Sequence, residues 1–306
     1  MMSMNCETSQ QRDIRAVLIF LVLLLTVFLA ASPQNVYAGL ILGMEIKGQH
    51  EDNVSGLLSG QRSAGGGGIT SVGTMMRASG MGSGTGMGSG SGMGVTSGTG
   101  AQSQGDYAYL LSAEAGVFTE ATEDAAIYLK AFAERTAYDR YTDLSSNVAG
   151  VGTGVDLVVN DMLSSRVDVI GKLKRFGDSD RNSTAYEAVL NVKERLAQRF
   201  WFRERLGYED NRASSVLYSN TGTSAGITAG WSLPGATLLT LGYGYLEQRY
   251  AEGGGKLASN TLSLGLDYSL ARSWNIAAEY DRQISKPEGG ESATDNITAL
   301  SLRYGY

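Results

Sequence analysis

Three pairs of basic residues are spaced two apart in the second half of the chain: Lys172 and Lys174, Lys193 and Arg195, Arg203 and Arg205. In an extended strand successive side chains point to opposite faces, so residues i and i+2 share a face. Each pair therefore projects to one side, and on three consecutive strands the six would form one basic wall. Asp267, Glu279 and Asp281 form an acidic wall by the same reasoning. Opposed walls across a narrow passage set up a transverse field that orients a polar or charged solute. The competing arrangement is internal neutralisation, with Glu114, Glu134 and Glu187 as nearby partners and the long side chains filling the interior.

Catalysis has little to work with. The chain holds one histidine and one cysteine, so any imidazole-based site must use His50 with Glu51 and Asp52. On a strand His50 and Asp52 share a face and Glu51 does not, and nothing else in the sequence marks a second acidic pair. A surface histidine is the expected outcome, with no catalytic residues and no enzyme activity. The same scarcity excludes a disulfide framework and a cysteine zinc site. Met75, Met76, Met81, Met87 and Met93 could supply thioethers to copper(I), but no His or Cys stands near them. No metal and no cofactor are expected. The net charge of -6 and pI of about 5.0 argue against a nucleic-acid partner.

The elements that must position the charges count in twos. From Asp106 onward apolar residues recur at alternate positions: Leu262, Leu264, Leu266, Tyr268 and Leu270 oppose Thr261, Ser263, Gly265, Asp267 and Ser269. Segments of about ten residues with one continuous apolar face, a mixed polar face and aromatic ends are the mark of a transmembrane barrel rather than a soluble sandwich. Eleven strands are expected, near 106–118, 125–138, 147–160, 165–176, 185–197, 200–210, 221–233, 237–250, 259–270, 274–284 and 296–306. Single-chain bacterial barrels have even strand numbers, and Gly39 to Gly48 alternates in the same way, which makes twelve. If residues 39–48 do not pair, ten strands close. The expected fold is thus all-β, a transmembrane antiparallel up-and-down β-barrel of about 12 strands. Glu204 interrupts the apolar series Phe200, Phe202, Leu206 and Tyr208, and a local bulge or a partner protein at that face would account for it.

Two further segments lie outside the strands. Residues 1–38 have Arg12 and Arg15, then the uncharged run from Ala16 to Ala31, then a small-residue exit at Ala38, as in a cleaved secretory signal peptide. Residues 55–105 carry 18 of the 41 glycines, with a Gly-Met-Gly-Ser repeat of period six. Such a composition cannot bury enough apolar surface to offset chain entropy, and a disordered low-complexity loop is expected within the 39–306 barrel domain.

The chain ends Leu300-Ser301-Leu302-Arg303-Tyr304-Gly305-Tyr306. Apolar residues at every second position before a terminal aromatic resemble the C-terminal signal of Gram-negative outer-membrane β-barrel proteins. That resemblance implies Leu300, Leu302, Tyr304 and Tyr306 as the assembly signal, the barrel-assembly machinery and outer-membrane lipid as partners, and the bacterial outer membrane as the location. More narrowly, Gly48-Gln49-His50-Glu51-Asp52-Asn53-Val54 with Gly105-Asp106-Tyr107 resembles the outer-membrane barrels associated with exopolysaccharide and sorting systems, with His50 where those carry an aromatic residue. It implies polysaccharide-export components as partners. The expected function is a narrow channel or export-accessory pore for small polar or acidic solutes, saccharides among them. The alternative is a non-conducting structural or adhesion barrel displaying a flexible surface loop.

Overall fold

The computed structural model describes residues 38–52, 105–251 and 255–305. The signal segment, the glycine-rich segment and Tyr306 therefore lie outside the described residues. Twelve strands follow in order: β1 (Ala38–Glu51), β2 (Asp106–Thr122), β3 (Ala125–Tyr138), β4 (Ser146–Asn160), β5 (Leu163–Phe176), β6 (Ser183–Ala197), β7 (Phe200–Ala213), β8 (Asn220–Leu233), β9 (Thr237–Tyr250), β10 (Lys256–Ala271), β11 (Trp274–Pro287) and β12 (Ala293–Gly305).

Each strand pairs antiparallel with the next, and β1 pairs with both β2 and β12, closing the barrel. The 39–48 segment thus forms the first strand, and twelve rather than ten strands close. Closure pairs β1 with β12 over Gly43–Glu51, so the backbone donors of the wall bond within the ladder rather than to water. At a strand spacing of about 4.8 Å and a tilt of about 40°, twelve strands give a barrel about 25 Å across its backbone.

The two ends differ. One end carries turns of two or three residues, at 123–124, 161–162, 198–199, 234–236 and 272–273, together with both described chain ends, Ala38 and Gly305. Gly235 turns the 234–236 connection with φ 79°. The other end carries longer connections, three of which contain a single 3-10 turn: Thr142–Leu144, Ser179–Arg181 and Val216–Tyr218. Register shifts occur next to four of the short turns, at Glu120/Thr122, Val158/Asn160, Arg195/Ala197 and Ser269/Ala271.

Several strands run further toward the loop end than the alternation indicates: β7 continues to Ala213, β11 to Pro287, β10 begins at Lys256 and β12 at Ala293. A 14-residue strand is about 45 Å long and, tilted, about 35 Å tall, against an apolar band of about 25 Å. Above that band the ladder continues while both faces become polar, so the hydrophobic alternation stops before the strand does.

The outer face is apolar, with Leu40, Leu42, Met44, Ile46, Leu262, Leu264 and Leu266 all exposed. Trp231, Tyr268 and Trp274 ring its short-turn side, and Tyr107, Tyr109, Tyr186 and Tyr208 stand on its loop side. Glu204 remains exposed on this face, in regular register between Val192 of β6 and Ile227 of β8. No bulge accompanies it; the register shift in that hairpin is at Arg195/Ala197, nearer the turn.

Inside, the loop end is crossed by packed side chains. Ala108, Tyr138, Leu144, Tyr250 and Leu257 form one buried cluster, with Tyr141 and Ala293 packed against it. β3 and β9 lie six strands apart in a ring of twelve, on opposite sides. The cluster therefore bridges the lumen, and Leu144, 1% exposed on the connection from β3 to β4, is its inserted member.

Candidate functional site

The lumen below this bridge carries the chemistry. Lys172 and Lys174 on β5, Lys193 and Arg195 on β6, and Arg203 and Arg205 on β7 occupy inward registers of three adjacent strands. The inward register follows from burial that alternates with the exposed apolar residues, as at Val189 against Leu190.

The six cations fall into two groups. Toward the loop end, Lys172 Nζ lies 2.5 Å from Glu187 and 3.6 Å from Glu209, Lys174 Nζ lies 2.8 Å from Glu209, and Arg205 lies 3.0 Å from Glu187. Three cations thus interlock with two carboxylates. Toward the short turns, Lys193 and Arg203 face each other across the β6–β7 ladder, and both stand 5.0 Å from the Trp201 ring centroid. The indole thus carries two cation–π contacts at once. Trp201 fits because the facing residue on β8 is Gly230, where a Cβ would run into the indole ring. Arg195 lies beside the register shift, exposed near the turn.

A second aromatic platform continues this wall. Tyr128 on β3 has Arg166 5.0 Å and Lys130 5.6 Å from its ring. Arg166 forms a two-pronged ion pair with Asp156, and Lys130 lies 3.8 Å from Glu114. Cations on β3 and on β5 to β7 therefore line the short-turn half of this side of the bore, interleaved with Tyr128 and Trp201.

Across the lumen the charges reverse. Asp267 on β10 and Glu279 and Asp281 on β11 face inward, but they are not alone. Arg303 of β12 reaches Glu45 at 2.8 Å, Asp267 at 3.2 Å and Glu279 at 2.9 Å, while Lys47 lies 3.1 Å from Glu279. Asp281 is 4% exposed. Two cations, Arg303 and Lys47, among the four carboxylates Glu45, Asp267, Glu279 and Asp281 leave an acidic excess on this side.

Sequence reasoning placed Glu187 among the neutralising partners, and the structure pairs it so; Glu114 instead meets Lys130. It passed over Glu209, Trp201, Tyr128, Glu45 and Arg303. The same period of two carried the signal for each of them, since Glu209 and Trp201 share the inward register of Arg203 and Arg205. The inserted Leu144 has no such signal.

His50 faces outward, its ring 4.7 Å from that of Tyr107, while Glu51 points inward and accepts hydrogen bonds from Tyr138 and Gln49. Asp52 accepts from the backbone and side chain of Asn296. Among the described residues no group of three His, Cys, Asp or Glu side chains could hold a metal ion. Leu300, Leu302 and Tyr304, expected as an assembly signal, lie on the outward face of β12, with Tyr304 5.1 Å from Trp274.

Closed at twelve antiparallel strands, apolar outside and charged within, the chain is an outer-membrane β-barrel. Solved outer-membrane structures share this fold. The COG4313 outer membrane channel from Pseudomonas putida F1 aligns over 90% of this chain and 99% of its own, with 8% identity and a TM-score of 0.55. The NanC porin aligns over 85% of this chain and 98% of its own, with 9% identity and a TM-score of 0.48. No family model matches the chain, and no curated protein matches its sequence.

Proposed function

We propose that the protein is an outer-membrane channel for small anionic solutes, acidic saccharides foremost, with its short turns in the periplasm and its longer connections outside. The observation that carries this reading is Trp201 with Lys193 and Arg203 each 5.0 Å from its ring, on a wall that faces an acidic excess. An indole face takes the C–H face of a sugar ring, and flanking cations take its carboxylate as charge-assisted hydrogen bonds. Tyr128 with Arg166 and Lys130 repeats that combination. Repeated weak sites along one wall let a solute enter without being trapped. The opposite wall repels the carboxylate and keeps the solute on the basic track. The fold shared with a solved outer-membrane channel agrees with this reading.

A second reading, a non-conducting barrel, is favoured by one observation: the bridge of Tyr138, Leu144, Tyr250 and Leu257 crosses the lumen at the loop end. Planar-bilayer recording of the purified protein decides between them. The channel reading expects single-channel steps, a reversal potential showing anion preference, and current block by glucuronate stronger than by glucose. Absence of steps from both the native protein and a Leu144→Ser variant would leave the structural reading.

A further inference from the structure

The three connections that carry a 3-10 turn share one build. After each turn comes Ser145, Asn182 or Ser219, whose side chain accepts the N–H of Tyr138, Phe176 or Ala213 and closes the connection onto the strand before it. The carbonyls of the same three residues accept from Gly177, Ser214 and Ala251 of the next connection. The connections therefore lean on one another in series. Leu144, Arg181 and Tyr218, equally spaced along the chain, occupy equivalent places at the ends of their turns.

Arg181 is the odd member of this row. A buried arginine ordinarily has its donors paired, yet Arg181 is 3% exposed and its Nε, Nη1 and Nη2 all lack a hydrogen-bond partner among the described residues. The Tyr218 ring centroid stands 4.8 Å from the guanidinium. Asp178 stands 3.7 Å from Nε, and its other oxygen is taken by the Asp180 N–H. Burial works against the charge and holds the Arg181 pKa below the ordinary arginine value, with Tyr218, Asp178 and Asp143 offsetting that only in part.

Unmet acceptors border the same tyrosine. Asn211 and Asn220 face each other across the β7–β8 ladder, both buried, and their side-chain amides donate to the Tyr218 carbonyl at 3.3 and 3.1 Å. Their Oδ1 atoms accept nothing among the described residues. Three donors and two acceptors thus gather around one residue without meeting one another. Leaving such atoms buried and unpaired costs stability unless a ligand completes them.

We infer that Arg181, Asn211 and Asn220 form a capture site at the outer mouth for the acidic end of a saccharide. A carboxylate supplies two acceptors to the planar guanidinium fork, and sugar hydroxyls donate to the two asparagine oxygens. A simple carboxylate meets only the first need, and a neutral sugar only the second. The site rests on the channel reading for its solute, but it stands at the loop end, apart from Lys193, Arg203 and Trp201 near the short turns.

Ligand-observed saturation-transfer NMR on the detergent-purified full chain measures binding whether or not the barrel conducts. A Lys193→Ser/Arg203→Ser background removes the lumen site. In that background glucuronate should still bind, more tightly than acetate or glucose. Adding Arg181→Gln should weaken glucuronate at least about tenfold. Adding Asn211→Ala/Asn220→Ala instead should bring glucuronate down to the level of acetate while leaving acetate unchanged. Heat-modifiable mobility on gels verifies that each variant is folded. In the native protein, glucuronate should slow hydrogen exchange in the peptides spanning 177–183 and 214–220, a readout that needs no variant. No glucuronate binding in the Lys193→Ser/Arg203→Ser background would overturn the site and leave the lumen reading intact. Equal binding by the folded Arg181→Gln variant, or unchanged exchange in both peptides, would overturn it as well. Binding that depends on Arg181 in a barrel without single-channel steps would sustain the site while the conduction reading fails.

Discussion

The carboxylate of Asp106, 1% exposed at the start of β2, accepts the backbone N–H of Tyr141 at 3.0 Å and that of Arg140 at 3.1 Å. These bonds hold the connection from β3 to β4 against the inner wall and so place Leu144 in the bridge across the lumen. Asp106→Ala should leave three amides, those of Tyr107, Arg140 and Tyr141, without this acceptor, costing about 1–3 kcal/mol of stability, and should raise single-channel conductance by releasing the bridge. Leu144→Ser should raise conductance while leaving Asp106 bound. Planar-bilayer recording with a denaturant titration checks both; unchanged conductance in both variants would remove the bridge as the narrow point.

The division of the basic wall makes its two halves separable by mutation. Lys193 and Arg203 sit over Trp201, and substituting both by Ser should move the reversal potential away from anion preference with a stability loss of about 1–3 kcal/mol, since Arg203 is buried. Arg205 instead serves Glu187 in a buried network with Lys172. Breaking such a network leaves a buried carboxylate short of a partner, so Arg205→Ser should cost about 3–5 kcal/mol. Reversal potentials beside urea midpoints distinguish the two. Gly230→Val should imitate the first effect, because a side chain there displaces the Trp201 ring from its cations.

Arg303 joins β12 to β1, β10 and β11 through its three carboxylates. Arg303→Ser should leave Glu45, Asp267 and Glu279 repelling one another, lower the unfolding midpoint and turn selectivity toward cations. A second substitution, Glu45→Gln, should recover part of both losses. A double-mutant cycle measures the coupling; strictly additive effects would show that the guanidinium does not hold these acids together.

How much of this was legible follows from what a period of two can carry. The alternation at residues 39–48 located the strand that closes the barrel, and the same alternation put Lys193 and Arg203 on one face. Alternation gives a face but no partner. Whether Lys172 meets solute or Glu209 depends on the register of β5 against β6 and of β6 against β7, and register comes from turn lengths and from shifts such as Arg195/Ala197. Leu144 was illegible for another reason. It lies on a connection, where no period exists, and its burial depends on Asp106 some forty residues earlier and on Tyr250 and Leu257 across the barrel. Glu204 was legible as an exception and remains one: it faces outward in unbroken register.

The closing seam offers a pH test outside the membrane span. Asp52, just past β1, accepts the backbone N–H of Asn296 at 2.8 Å and its side-chain amide at 2.6 Å, while its own N–H donates to the Asn296 carbonyl at 3.2 Å. Partial burial works against the charged carboxylate, but the hydrogen bonds from Asn296 outweigh it and hold the Asp52 pKa below its ordinary value. A carboxyl with a lowered folded pKa contributes stability above its unfolded value of about 3.9 and loses it as pH falls through the folded value. Exchange of the Asn296 amide should therefore be slow at neutral pH and should quicken at acid pH, relative to its intrinsic rate, only below about pH 4. Asp52→Ala should show the fast limit at every pH, because the acceptor is gone. Hydrogen exchange at that peptide, followed from pH 7 to pH 3 in native and variant protein, measures it; a protection factor independent of pH in the native protein would mean that the Asp52 carboxylate does not hold the seam.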